Sequence, residues 1–498
     1  MVLNHKEGLN SYRSSLFSVK AENQEGAKLS YNMNYNLYKN TPIKKNDLVL
    51  KMVFVVIGIL STTAAIFGDI NTGTATYQFL LPFSYLIGYL ILLPAINKMG
   101  YGYIVLNIVW IIRYCILPAL NTLNTEYITQ FDERYRMIAL LIMLVELWVT
   151  FIAVRFCFSN LYKKKNKGNK IHGSFYDNLK PRVVFLFFII FVVIILADPN
   201  ALKGFNNIFD SEFTKRSSTN FGILSIWLNW TKYIVTISLI GIFGRKYIQT
   251  NSFFYVLSAI LTMLISISFF QGVSRNGLLI EAVAYLFVLT KIFHKHSKKI
   301  IVIFIVSILF VLLSITLYKF YDIRSISEVS YFFNNNSFAN ELNLYFAGPS
   351  NVAIGVKTLD MFGPQYNILT IFKDLFANTV VLNKLVANIP GTVYFFNIAC
   401  YGHTIWADQI SPTITQAIGL FNVFGFIIPI ILVYIIVKMD SIAVNSDSIL
   451  GMFVATMFSV TLAFYSPGNI TIISTSIFNK LLPLFIIYKF LSYKFRRN

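Results

Sequence analysis

IIVIFIVSILFVLLSITLYKFYDIR, residues 300–324, is where the chain changes character. From Ile300 to Leu317 it runs without a charge, close to the roughly 20 apolar residues that a bilayer crossing takes. At Lys319, Asp322 and Arg324 the run stops. A polar, aromatic-rich stretch follows as far as Pro412, and the apolar pattern then resumes.

Working outward, the same kind of run recurs on both sides. Twelve are read, at 52–68, 77–96, 101–119, 137–157, 183–197, 221–243, 252–270, 278–293, 300–317, 414–437, 449–466 and 470–488. With 56% hydrophobic and 13% charged residues, a soluble multidomain chain is excluded. The runs do not alternate, so they are not barrel strands. The fold class expected is all-α, a polytopic integral membrane protein of about twelve transmembrane helices with one large external loop. Residues 1–47 read as a cytoplasmic tail without a cleaved signal peptide, and 48–317 as helices one to nine. Residues 318–412 form the loop, 413–488 helices ten to twelve and 489–498 a second cytoplasmic tail. Cys115, Cys157 and Cys400 give no disulfide framework.

A formal charge of +20 invites a nucleic-acid reading, which its distribution excludes. Lys44, Lys45 and Lys51, Lys98, Lys163–Lys170, Arg245 and Lys246, Lys295–Lys299, Lys438 and Lys494–Arg497 fall in alternate loops. That is the positive-inside pattern of a multi-pass membrane protein with both termini cytoplasmic. The basic loops orient the chain and touch anionic lipid headgroups.

The long loop is then external. Its aromatics, among them Tyr345, Phe346, Phe372, Phe376, Tyr394 and Trp406, are too dense for a disordered linker. In YNILTIFKDLFANTVVLNKLVA, 366–387, Leu369, Phe372, Phe376 and Val380 recur at helical spacing. Two readings stand open: an amphipathic helix in the outer interface, or a lid packed on neighbouring spans.

Charges near or within the spans need a partner or a task, at about 2.5–3.5 kcal/mol each on insertion scales. Arg113, Arg275, Lys319 and Arg324 all meet the outer headgroup level and form a candidate diphosphate site, arginine offering two parallel donors. Against this, Lys319 can simply snorkel, and Arg113 can pair with Glu146 or Glu281. Lys232 and Lys480 lie deeper, where pairing with a buried glutamate is favoured. There is no phosphate-binding loop and no HExxH, so ATP-driven transport lacks support and no metal or cofactor is expected. The first external loop is short and holds only Asp69, unlike transferases with an acidic pair there.

Three stretches resemble the Wzy-type polymerases of O-antigen and capsule repeat units, relatives of the O-antigen ligases. They are SRNGLLIEAVAYLFVL (274–289), ELNLYFAGPSNVAIGVKTLDMF (341–362) and DQISPTITQAIGLFNVFGF (408–426). The resemblance implies a GT-C-like membrane glycosyltransferase that is metal-independent. Its substrate would be an oligosaccharide on polyprenyl diphosphate, and its product a surface polysaccharide made at the outer face. A chain-length regulator protein is an implied partner. Arg275, Arg324, Arg113 and Lys319 would neutralise the diphosphate, and Asp408 or His403 would serve as general base. Tyr345, Phe346 and Trp406 would stack on sugars. The ligases' His-Asn pair would fall near Ser411–Pro412, so that histidine's role does not transfer. A polysaccharide-lipid flippase or exporter and a ligase-like transferase remain the alternatives.

Overall fold

The computed structural model describes residues 44–72, 76–96, 99–123, 133–161, 181–198, 205–207, 223–271, 275–314, 337–380, 382–403, 410–446 and 448–496. The chain divides into two units, Met1–Leu50 and Lys51–Asn498. Of the first, only the opening of a helix at Lys44–Leu50 is described.

The described chain is helical apart from a short antiparallel ribbon, β1 (Phe205–Asn207) on β2 (Phe269–Gln271). The helices are α1 (Lys44–Thr72), α2 (Leu80–Leu92), α3 (Tyr101–Leu123), α4 (Glu133–Leu161), α5 (Pro181–Ala197), α6 (Ile223–Thr250) and α7 (Phe253–Ser268). Next come α8 (Arg275–Ile292), α9 (Ser297–Ser314), α10 (Ser337–Phe346), α11 (Pro349–Phe362), α12 (Ile368–Phe376) and α13 (Thr392–Tyr401). The last four are α14 (Thr413–Phe421), α15 (Ile427–Asn445), α16 (Ile449–Tyr465) and α17 (Ile470–Phe490).

Among the described residues, six helices are long and apolar enough to cross a membrane: Leu48–Asn71, Tyr101–Leu123, Glu133–Asn160, Ile223–Thr250, Thr413–Asn445 and Ile470–Phe490. This is the composition of a membrane protein. Gly277–Ile292 and His294–Ile308 qualify only together, as a pair bent by 112°. Leu80–Leu92, Phe185–Ala197, Phe253–Ser268 and Ile449–Tyr465 are apolar but shorter.

The core forms around α16, where every residue from Ile449 to Ala463 is buried. A helix surrounded on all sides can be apolar all round, and this one is. It packs on α15, α3, α8 and α6. Next to it, α3 starts at Gly100 with no side-chain cap of its own. Asp440 of α15 supplies one, accepting the N–H groups of Gly102 at 2.9 Å and Tyr103 at 2.7 Å. A Cβ at position 100 would lie 2.4 Å from that carboxylate, which is why glycine stands there.

The tenth apolar run departs from the sequence reading, which took 414–437 as one straight span. Asn422 has a positive φ of 53°, and residues 422–426 make a tight 3-10 turn. A Cβ on Gly425 would lie 2.5 Å from the backbone of Ala417 and Ile418. Eight residues of continuous helix would separate them by about 12 Å, so the chain folds back on α14 here. Within the candidate span Thr413–Asn445, the 19 residues of α15 make a straight length of roughly 28 Å. Replacing Gly425 with valine is expected to lower the thermal midpoint of the purified protein, at a cost of about 2 kcal/mol or more. An unchanged midpoint would mean that α14 and α15 are collinear.

Candidate functional site

The described helices between α9 and α15, α10 to α14, pack on the rest of the bundle. Pro349–Phe362 packs along α4, with Tyr135 donating to Asp360 at 2.7 Å. At the other end of α11, Gly348 lies so close to Leu117 that a Cβ would come within 2.7 Å of it. Leu117 is one turn from Arg113, the partner of Glu146, so α11 runs antiparallel to the first half of α4. The preceding turn is fixed by Ala347, buried at a positive φ of 45°, and by Asn343, whose amide donates to Asn121 at 3.2 Å.

A chain of hydrogen bonds ties the rest together. Thr413 donates through its N–H to the Pro467 carbonyl at 3.3 Å and through its hydroxyl to that of Gly468 at 2.8 Å. Gln416 accepts the N–H of Ile470 at 2.7 Å and donates to the Thr392 hydroxyl. Thr392 donates its N–H, at 3.0 Å, and its hydroxyl to the carboxylate of Asp374. Four helices, α12, α13, α14 and α17, therefore share one buried relay. Burial pushes the Asp374 carboxyl up to about 6, although the Thr392 donors and the neighbouring Lys373 oppose the shift.

Elsewhere in the bundle lie two ion clusters. Arg113 is 1% exposed and pairs with Glu146 at 2.7 Å. It sits in a π-helical turn, Ile112–Ile116, a distortion that often marks functional positions. Its buried Nε has no hydrogen-bond partner among the described residues. It lines a cavity of about 20 Å³ together with Glu146, Thr150, Ser466 and Pro467, room for about one water.

The second cluster surrounds Glu281 of α8. Lys232 donates to one of its oxygens and Lys480 to the other, both at 3.1 Å, and Tyr233 adds its hydroxyl. Lys232 also donates to the Phe269 carbonyl at 2.7 Å. Both ammonium groups lie over the Tyr233 ring, at 4.8 and 5.3 Å. Lys480 occupies the other π-helical turn, Ile477–Leu481. The adjoining Asn479 donates to the Asn378 carbonyl at 2.8 Å and accepts the Val380 N–H at 3.3 Å. Its own carbonyl takes the Trp230 indole N–H at 3.2 Å.

Of the residues singled out from sequence, Arg113 is thus held by Glu146, and Lys232 and Lys480 share Glu281. Arg275 is the first residue of α8, six positions before Glu281. Tyr345 and Phe346 are half-buried on α10, Phe346 against the Phe464 ring at 5.8 Å. His403 is exposed just beyond Gly402, which ends α13 at a φ of 72°, and its ring stacks on Tyr401 at 6.0 Å. Lys319, Arg324, Trp406 and Asp408 lie outside the described residues. The helix expected across 366–387 ends at Phe376, and Val380 falls in a turn. Sequence reasoning missed Thr392, Gln416 and Asn479. Uncharged and without a motif, they carry no signal beyond being polar between apolar runs.

Comparison with protein-family models, with curated proteins and with solved structures finds no match.

Two outcomes follow from the geometry. Removing one partner of a buried ion cluster typically costs about 3–5 kcal/mol, because a charge is left without its counterpart. Glu281→Gln is therefore expected to lower the thermal midpoint sharply, and adding Lys480→Met to recover part of the loss. If the double variant is no more stable than the single one, the cluster is not held by charge. For Asp374, the folded pKa of about 6 stands above the ordinary 3.8. Its stabilising contribution is full below about pH 4 and is lost as pH rises through 6. Asp374→Asn should flatten the fall in thermal midpoint between pH 4 and 6, an effect on the order of 3 kcal/mol. The same slope in both proteins would count against the shift.

Proposed function

We propose that this chain is a membrane glycosyltransferase that polymerises oligosaccharide repeat units carried on polyprenyl diphosphate. In this reading it makes twelve crossings of the bacterial cytoplasmic membrane, with both termini cytoplasmic, the 337–421 segment at the outer face and a GT-C-like arrangement. The observation that carries the reading is the insertion itself. Where a carrier would have a short link, this chain builds α10–α14 and fastens them to α4 and α17. Helices α3 and α17, which carry Arg113 and Lys480, adjoin this segment: Gly348 lies against Leu117, and Asn479 donates to the Asn378 carbonyl.

The acceptor sugar hydroxyl attacks the anomeric carbon of the lipid-linked glycan. The carbon–oxygen bond to diphosphate breaks, and the hydroxyl proton passes to a base. Asp408 is the first candidate for that base and His403 the second, the exposure of His403 fitting contact with a glycan outside the bundle. Arg275, Arg324 and Lys319 stabilise the departing diphosphate. Arg113, already paired with Glu146 through one guanidinium nitrogen, takes no direct part. Tyr345, Phe346 and Trp406 contribute sugar-facing rings.

The test is the polymer itself. Cells carrying Arg275→Ala are expected to lose the long-chain ladder and accumulate lipid-linked single repeats. Arg275→Lys should fall short as well, since an ammonium cannot make the planar two-donor contact. A full ladder from Arg275→Ala would remove the residue from the site. Asp408→Asn in a normally abundant protein should likewise stall at single repeats, and disappearance of the protein would instead mark Asp408 as structural.

A further inference from the structure

Helix α12 has its polarity inverted. Over its nine residues the buried positions are Thr370 and Asp374, both polar. On the opposite side Ile368, Leu369 and Phe372 are 63%, 53% and 46% exposed. At 100° per residue these two sets face away from each other. A helix packed on a water-soluble domain would place them the other way round.

Its seat explains where the apolar side looks. The Asp374 carbonyl accepts from Ser474 at 3.2 Å, Phe376 meets the Phe478 ring at 5.7 Å, and Asn479 grips the turn after the helix through Asn378 and Val380. These contacts descend one strip of the membrane-crossing helix α17, to nine residues beyond Ile470, or about 14 Å along its axis. Phe478 is itself 38% exposed on that strip, so the apolar side of α12 continues the lipid-facing surface of a span.

The backbone is equipped for such a place, where unmet polar groups are not tolerated. Asn367 caps the start of the helix in a reciprocal box with Thr370. Lys373 reaches across to the carbonyls of Val386 and Ala387 at 2.8 and 3.1 Å. Asn367, at the start of the helix, and Asn383 and Lys384, after it, are exposed polar residues that suit headgroup level.

We propose that α12 is a membrane anchor: it is bolted to α17, and its Ile368–Leu369–Phe372 face is immersed in the hydrocarbon of the adjoining leaflet. This rests on α17 crossing the membrane and is independent of the enzymatic reading. The anchor fixes the height of the relay through Asp374 and Thr392 relative to the bilayer surface.

The experiment places a nitroxide at Phe372→Cys or Leu369→Cys in full-length protein carrying Cys400→Ser, where the remaining Cys115 and Cys157 are buried. The protein is reconstituted in vesicles of phosphatidylethanolamine and phosphatidylglycerol. Both labels are expected to relax strongly with oxygen, which concentrates in hydrocarbon, and weakly with a water-soluble nickel chelate. A label at Asn388→Cys, on the exposed polar side, should show the reverse. The proposal is overturned if the two apolar positions respond more to nickel than to oxygen. It is equally overturned if they are shielded from both, which would mean that protein, such as a second copy of this chain, covers the face.

Discussion

Hydrocarbon offers no water to a polar group, so every charge and every broken turn in this bundle has to be met from elsewhere in the same chain. The Glu281 cluster is the clearest instance. It draws together helices α6, α8 and α17 across 199 positions of sequence between Glu281 and Lys480. Each of those helices alone carries a residue the membrane disfavours. Together they make an arrangement in which two ammonium groups and a phenol satisfy one carboxylate. Asp440 solves the matching problem for backbone, meeting the first N–H groups of α3 from a helix more than 300 residues away.

This constraint also accounts for how the inserted segment is held. Its docking points are the places where α17 and the turn before it have polar groups to give: Pro467 and Gly468, Ile470, Ser474 and Asn479. A straight α-helix keeps its interior N–H and C=O groups to itself. The start of a helix does not: there the segment takes the Pro467 and Gly468 carbonyls and the Ile470 N–H, while Ser474 and Asn479 reach it with their side chains. Arg113 occupies a π-helical turn, beside the cavity next to Ser466 and Pro467.

What could be read from the sequence follows the same division. The apolar runs were legible because their length and lack of charge leave helix as the only economical conformation. That Lys232 and Lys480 required a carboxylate was legible too, and Glu146 was one of two partners open to Arg113. Which of the two it takes was not, because pairing depends on how helices are rotated and stacked. The fold-back at Asn422–Phe426 was hidden inside an apolar run, since Val423, Phe424 and Phe426 look like one more turn of helix. The inverted polarity of α12 was hidden for a related reason. Leu369, Phe372 and Phe376 do mark one face, but periodicity alone does not say whether that face looks toward protein or lipid.

The depth of the charges bears on how an anionic substrate would be met. An ammonium or guanidinium already holding a carboxylate has to release it before it can serve a phosphate, and that strands a buried negative charge. Under the proposed reading, therefore, Arg113, Lys232 and Lys480 are poor choices for the leaving diphosphate. Arg275 is better placed by this argument. It opens α8, and the dipole at a helix N-terminus favours negative charge. It is also only six residues, about 9 Å, from Glu281 on the same helix. The deep cluster then acts at a distance, fixing the rotation and height of α8 and so the position from which Arg275 starts.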